Sequence, residues 1–176
     1  MARRHALLDA SRDRPPRCAP TLNHYGVDGR SIEQQPLDRY LGPCQVMHVP
    51  VAPRGRIAVR DLPAPVRAPR VLFATGTSPD PERWTADFAA LSVELVDHLH
   101  ANGVVLVGID TPSVDLSDSK DLPAHHAILR HDLAILEGIV LGRVPDGLYE
   151  LIALPLPLEG FDASPVRAVL RALDSK

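Results

Sequence analysis

Aromatic residues are scarce in this 176-residue chain: three Phe, three Tyr and one Trp, 4% in all. Single-stranded nucleic acid is gripped by stacking its bases on aromatic side chains along a basic groove. A net charge of −3 and a pI near 6.2 supply no basic field either. Nucleic acid and anionic membrane surfaces are therefore not expected as partners. No apolar run approaches the roughly 18–20 residues that a membrane-spanning helix needs. The N-terminus, "MARRHALLDASRDRPPRCAP", is basic but lacks the apolar stretch of a signal peptide, so a cytoplasmic location is expected. There are only two cysteines, Cys18 and Cys44, with no C-x-x-C pair. That leaves no disulfide framework, and Cys44 reads as a small buried apolar residue. The chain also has no G-x-S-x-G nucleophile elbow, no phosphate loop and no G-x-G-x-x-G.

Hydrophobic residues make up 45% and charged residues 23%, as in an ordinary soluble domain, and the length suits a single one. Proline is abundant, at 18, which points to many irregular connections and strand ends. Residues 1–23 are rich in Arg and Pro with no sustained period, and read as poorly ordered or loosely attached. Strands are expected at "CQVMHVPV" (44–51), "RVLFATG" (70–76), "VVLVGID" (104–110), "AILEGIVLG" (134–142) and "GLYELIALPL" (147–156), with "RVLFATG" of a fully buried type and "VVLVGID" almost continuously apolar. "LSVELVDHLHANG" reads as a helix, with Ser92 as N-cap, Gly103 just past its end, and Leu95, Val96 and Leu99 on one face. His98 and His100 then fall at its surface and C-terminal end. "AHHAILRHD" reads as a short helix with His131 at its solvated end. "DASPVRAVLRAL" reads as a last helix, with Ser164 as N-cap and Pro165 at its first position. The fold expected is α/β: a single domain with a mixed sheet and two or three flanking helices.

"SDSKDLPAHHAILRHDLAILEGIVLG" (117–142) carries the candidate chemistry. If 134–142 is a strand, Ile135, Glu137, Ile139 and Leu141 share one face and Leu136, Gly138 and Val140 the other. Both faces are apolar, so Glu137 is either buried, where it needs a cation, a metal or a raised pKa, or sits at a strand end and reaches water. His125 and His126 precede it by 12 and 11 residues, close enough for a short returning helix to bring one of them alongside. His with Glu suits Zn or Mn better than Ca or Mg, but two ligands do not complete a catalytic site. Asp110, followed by Thr-Pro-Ser at a strand's C-terminal end, reads as a turn or capping residue.

Three segments together carry a resemblance: "PLDRYLGPCQVMHV", "VVLVGIDTPSVDLSDSKDLPAHHAILRHDLAILEGIVL" and "GLYELIALPLPLEGFDASPVRAVLRAL". They resemble the cyclase family of metal-dependent hydrolases, and within it the bacterial kynurenine formamidases (arylformamidases). The resemblance runs from about His24 to the C-terminus, making 24–176 the family domain and 1–23 a divergent segment. It implies a swivelling β/β/α cyclase-like fold, a homodimer, and two zinc ions per subunit. It also implies a small-molecule substrate, N-formyl-L-kynurenine, cleaved to L-kynurenine and formate in tryptophan degradation. The family's late metal ligands fall on His125 and Glu137, and its acid/base histidine on His24, followed by Tyr25; His126 is then structural.

The chain departs from the family at one place. Family members carry H-x-G-x-H-x-D-x-P-x-H, whose first two histidines and aspartate hold and bridge the metals. Here the region reads "DRPPRCAPTLNHYGVDG". His24 remains, Cys18-Ala19-Pro20 stands near the aspartate's place, and His5 and Asp9 have the wrong spacing. An N-terminally incomplete domain is therefore expected, from a truncated or frame-shifted gene. The alternative to an active formamidase is a non-catalytic relative that keeps the core and dimer surface.

Overall fold

The structure, a computed structural model, describes residues 5–7, 18–20, 30–80 and 82–173. Its centre is made by short apolar runs. Strand β5 (Arg70–Ala74) is buried at all five positions and β7 (Leu106–Ile109) at all four. A strand apolar on both faces needs cover on both faces, the usual state of a parallel sheet. Successive side chains alternate, so Val71, Phe73, Val107 and Ile109 enter one core cluster, while Leu72, Ala74 and Leu106 enter the other.

With β1 (His5–Leu7), β3 (Leu41–His48), β8 (Ala134–Leu136), β9 (Gly147–Ile152) and β11 (Val169–Ala172), these strands form one seven-stranded sheet among the described residues, in the order β1-β11-β9-β3-β5-β7-β8. The run β3-β5-β7-β8 is parallel; β9 and β11 are antiparallel to their neighbours, and so is β1. Two small pairs stand apart: β2 (Cys18–Pro20) with β10 (Ala163–Pro165), and β4 (Arg56–Ile57) with β6 (Ala90–Leu91).

Helices α1 (Val93–Ala101) and α2 (Pro123–Arg130) make the β5-to-β7 and β7-to-β8 crossovers. Both pack on the Phe73 face, through Leu95, Val96 and Leu99 from α1 and Ala124, Ala127 and Ile128 from α2. α1 begins as its sequence implies, the Ser92 hydroxyl accepting from the Leu95 N–H at 3.1 Å. The opposite core joins Cys44, Val46 and Leu72 to Ile139, Leu141, Val144, Leu151 and Leu170. The mixed α/β domain is as expected. No helix among the described residues is long and apolar enough to cross a membrane.

Two expected elements take a different form. The C-terminal helix is instead β10 and β11. Val166, Ala168 and Leu170 are the buried positions, a period of two rather than 3.6, and β11 gains backbone partners from β9 and β1 at once. Ser164 caps no helix; its buried hydroxyl accepts from the Leu156 N–H. The strand expected over 134–142 ends at Leu136, because Gly138 turns the chain at φ +65°. Residues 139–144 then fold back over the sheet, and Ile139 and Leu141 both enter the core facing Leu72.

Cys44 and Tyr40 lie fully buried in that same core. Burial pushes the Cys44 thiol up from 9.0 to about 12, against a weaker opposing pull from the Arg70 cation. Burial likewise pushes Tyr40 from 10.0 to about 12. Both groups hold their protons more tightly folded than unfolded. The stability this contributes is complete below about pH 9 and is lost as pH rises towards about 12, at up to ~1.4 kcal/mol per pH unit for each group. Urea unfolding followed from pH 8 to 11 should show this decline, and Cys44→Ala should remove its first part; a flat profile in the parent protein would contradict the assignment.

Candidate active site

The site is built where the parallel strands end, the edge at which open α/β sheets place their ligands. Beyond Ile109 the chain enters a loop that runs to α2. Its first residue, Asp110, stands at a bend, the turn position expected, and caps no helix; its carboxylate accepts from the Thr75 hydroxyl at 2.8 Å and from the N–H groups of Thr75 and Gly76 at 2.9 and 2.8 Å. These bonds tie the ends of β5 and β7 together.

Five residues on, Asp115 is fully buried. Helix α2 has Leu122 at its N-cap position, with φ +40° and no side chain able to accept a hydrogen bond, followed by Pro123. Asp115 caps it from a distance. Oδ1 accepts from the Ala124 N–H at 3.1 Å, and Oδ2 from the His125 N–H at 3.0 Å, the second and third helical positions that a capping oxygen normally serves. Oδ2 also lies 2.9 Å from Nδ1 of the His125 ring, and Oδ1 takes the Arg56 guanidinium at 3.2 Å. Burial alone would raise the Asp115 pKa. The bonds from the His125 ring, the two backbone N–H groups and Arg56 outweigh it and bring the group down to about 2.

His125 is 3% and Glu137 8% exposed, so Glu137 stands at a strand end and is nonetheless buried. The bend at Gly138, whose N–H bonds to the Thr111 carbonyl at 2.8 Å, turns Glu137 towards the loop. Its Oε1 accepts from the Val114 N–H at 2.9 Å and lies 3.4 Å from His125 Nε2. Burial disfavours the charged imidazole, but the bonds to Asp115 and Glu137 prevail and the His125 pKa is raised. The two candidates from the late segment thus meet. His126, one residue on, is exposed. His131 bonds to Asp97 of α1 at 2.7 Å and stacks on His100, 4.1 Å between ring centres. His24 lies outside the described residues.

Asp115 is the residue that sequence reasoning missed. The available signal was an omission: a helix opening on Leu-Pro has no local cap, so its N–H groups must find an acceptor elsewhere.

Do His125 and Glu137 fit a metal? Two ligands bonded at 2.0–2.1 Å to a tetrahedral ion stand roughly 3.4 Å from each other. The Nε2–Oε1 separation is 3.4 Å, and a carboxylate behind the other ring nitrogen is the usual support of a metal-bound histidine. The pair therefore fits as two ligands of a zinc-like ion. Among the described residues no group of three or more His, Cys, Asp or Glu is placed to hold one.

A model of the cyclase family matches residues 20–116. The chain is also similar to a solved structure described as a potential metal-dependent hydrolase with cyclase activity: 25% identity and a TM-score of 0.79, over 91% of this chain and 79% of that one. A predicted metal-dependent hydrolase from Bacillus stearothermophilus is 25% identical, with a TM-score of 0.72 over 88% of this chain and 75% of that one. Isatin hydrolase A from Labrenzia aggregata, at 20% identity, shares the fold, with a TM-score of 0.72 over 88% of this chain and 71% of that one.

Removing Asp115 leaves two backbone N–H groups, an imidazole and a guanidinium without their common acceptor. Asp115→Ala should cost roughly 3–5 kcal/mol. Asp118, in an exposed pair with Arg54 at 2.6 Å, should cost far less stability on the same substitution, because water and salt screen a surface pair. Urea denaturation of both variants tests the contrast, and equal losses would refute it.

Proposed function

We propose a function from one premise: this chain belongs to the cyclase family. Its fold is that of metal-dependent hydrolases, and the reading best supported is hydrolysis of an amide bond, that of N-formyl-L-kynurenine, to L-kynurenine and formate. The observation that carries it is the buried His125–Glu137 pair at 3.4 Å, with Asp115 behind the imidazole.

His125 and Glu137 would hold the ion, with zinc as the assigned metal. A bound divalent ion supplies there a water of lowered pKa and polarisation of the formyl carbonyl. Val114 N–H fixes the Glu137 carboxylate, and Asp115 fixes the imidazole. His24 is assigned the proton transfer to the aniline nitrogen as the C–N bond breaks. A homodimer belongs to the same reading.

A second reading, a non-catalytic relative, is favoured by one observation. Cys18-Ala19-Pro20 replaces the family's aspartate region, and its backbone pairs with β10.

Metal analysis of purified protein, together with turnover of N-formyl-L-kynurenine followed by kynurenine absorbance, separates the readings. The formamidase reading expects stoichiometric metal, product, and a fall in kcat/KM for Glu137→Gln larger than the ~10–100-fold typical of losses outside the ligand set. Metal with no turnover of this substrate would direct the search to another amide. Neither metal nor turnover would establish the non-catalytic reading.

A further inference from the structure

We propose that Asp115 is a positioning residue: it holds neutral His125 as the Nδ1–H tautomer and so puts the ring's lone pair on Nε2, the atom beside Glu137 that would serve as a metal donor. Its importance for metal binding rests on the reading of His125 as a ligand; the tautomer itself does not.

Four donors converge on the two Asp115 oxygens: Ala124 N–H and Arg56 on Oδ1, His125 N–H and ring Nδ1 on Oδ2. The backbone and guanidinium groups can only donate. A carboxylate that takes them accepts and does not donate, so the short 2.9 Å contact at Nδ1 requires the ring proton to be there. The neutral imidazole then carries its lone pair on Nε2, the atom 3.4 Å from Glu137. Because the ring and the backbone N–H of His125 reach the same oxygen, turning the ring over would set a C–H against Oδ2 and lose the bond.

A simple helix cap would not need this arrangement. A serine or threonine oxygen serves an N-terminal N–H as well, and nothing in capping requires a second oxygen, a buried charge or contact with a ring. Arg56 completes the design. It also donates to the Leu91 carbonyl at 3.0 Å, so it is anchored at β6 and holds Oδ1 in place. Asparagine in place of Asp115 would put an NH2 group against donors whichever way it turned. In one of those orientations it would favour the opposite tautomer of His125.

The test has two arms. Long-range proton–nitrogen NMR of uniformly 15N-labelled, metal-free protein at alkaline pH reads the tautomer directly, with the His125 signals assigned by their loss in His125→Gln. A protonated Nδ1 with a bare Nε2 is the expected result. A neutral ring with its proton on Nε2 overturns the proposal. In the second arm zinc is titrated against a chromophoric chelator, and Asp115→Asn should bind it ~10–100-fold more weakly than the parent protein. Unchanged affinity in a folded variant also overturns the proposal. If the parent protein binds no zinc, the ligand reading of His125 fails, and the NMR arm still decides the role of Asp115. If Asp115→Asn does not fold, the spectrum of the parent protein decides alone.

Discussion

One buried carboxylate organises the functional end of this molecule. Asp115 accepts from the first turn of α2, from the imidazole that α2 carries, and from a guanidinium on the neighbouring small sheet. A carboxylate with no access to water is costly unless its lone pairs meet donors; here every donor also has a place in the site. The start of the helix, the aim of His125 and the anchoring of Arg56 depend on the same two oxygens. None of them can shift alone.

The sheet makes that convergence possible. β5, β7 and β8 run parallel, so the chain leaves all three at one edge. Asp110 bridges the ends of β5 and β7, and Glu137 follows the end of β8. Both faces of the sheet are covered by apolar cores, which leaves this edge as the place where polar groups can gather. The bend at Gly138 matters most here. Had the strand run on, Glu137 would have joined a pleated apolar face. Because Gly138 adopts a left-handed conformation that side chains resist, Glu137 turns towards Val114 and His125 instead.

The parts of the fold legible in the sequence are those with strong local signals. Ser92 and Gly103 bracket α1, and "RVLFATG" and "VVLVGID" read as buried strands and contain β5 and β7. His125 and Glu137 stood out as candidates by residue type and spacing, and the family resemblance implied their role as metal ligands. Their meeting was not legible, since a count of 12 residues does not say which way a strand end turns. The C-terminal segment misled because Val166, Val169, Leu170 and Leu173 line one face of a helix, while Val166, Ala168 and Leu170 line one face of a strand equally well. The pairing available on the sheet edge decided between them, through backbone bonds to residues far away in sequence.

The sequence by itself determined the α/β class, the central buried strands and the helix α1, and it singled out His125 and Glu137 as candidates, because periodicity, caps and residue type are local properties. Only the tertiary structure decided that Asp115 stands behind His125, that Leu122 has its cap supplied from seven residues upstream, and that Glu137 is buried at a bend. The physical reason is the same in each case. A buried polar group is stable only where its partners are, and those partners are brought together by the packing of the sheet and helices, not by nearness along the chain.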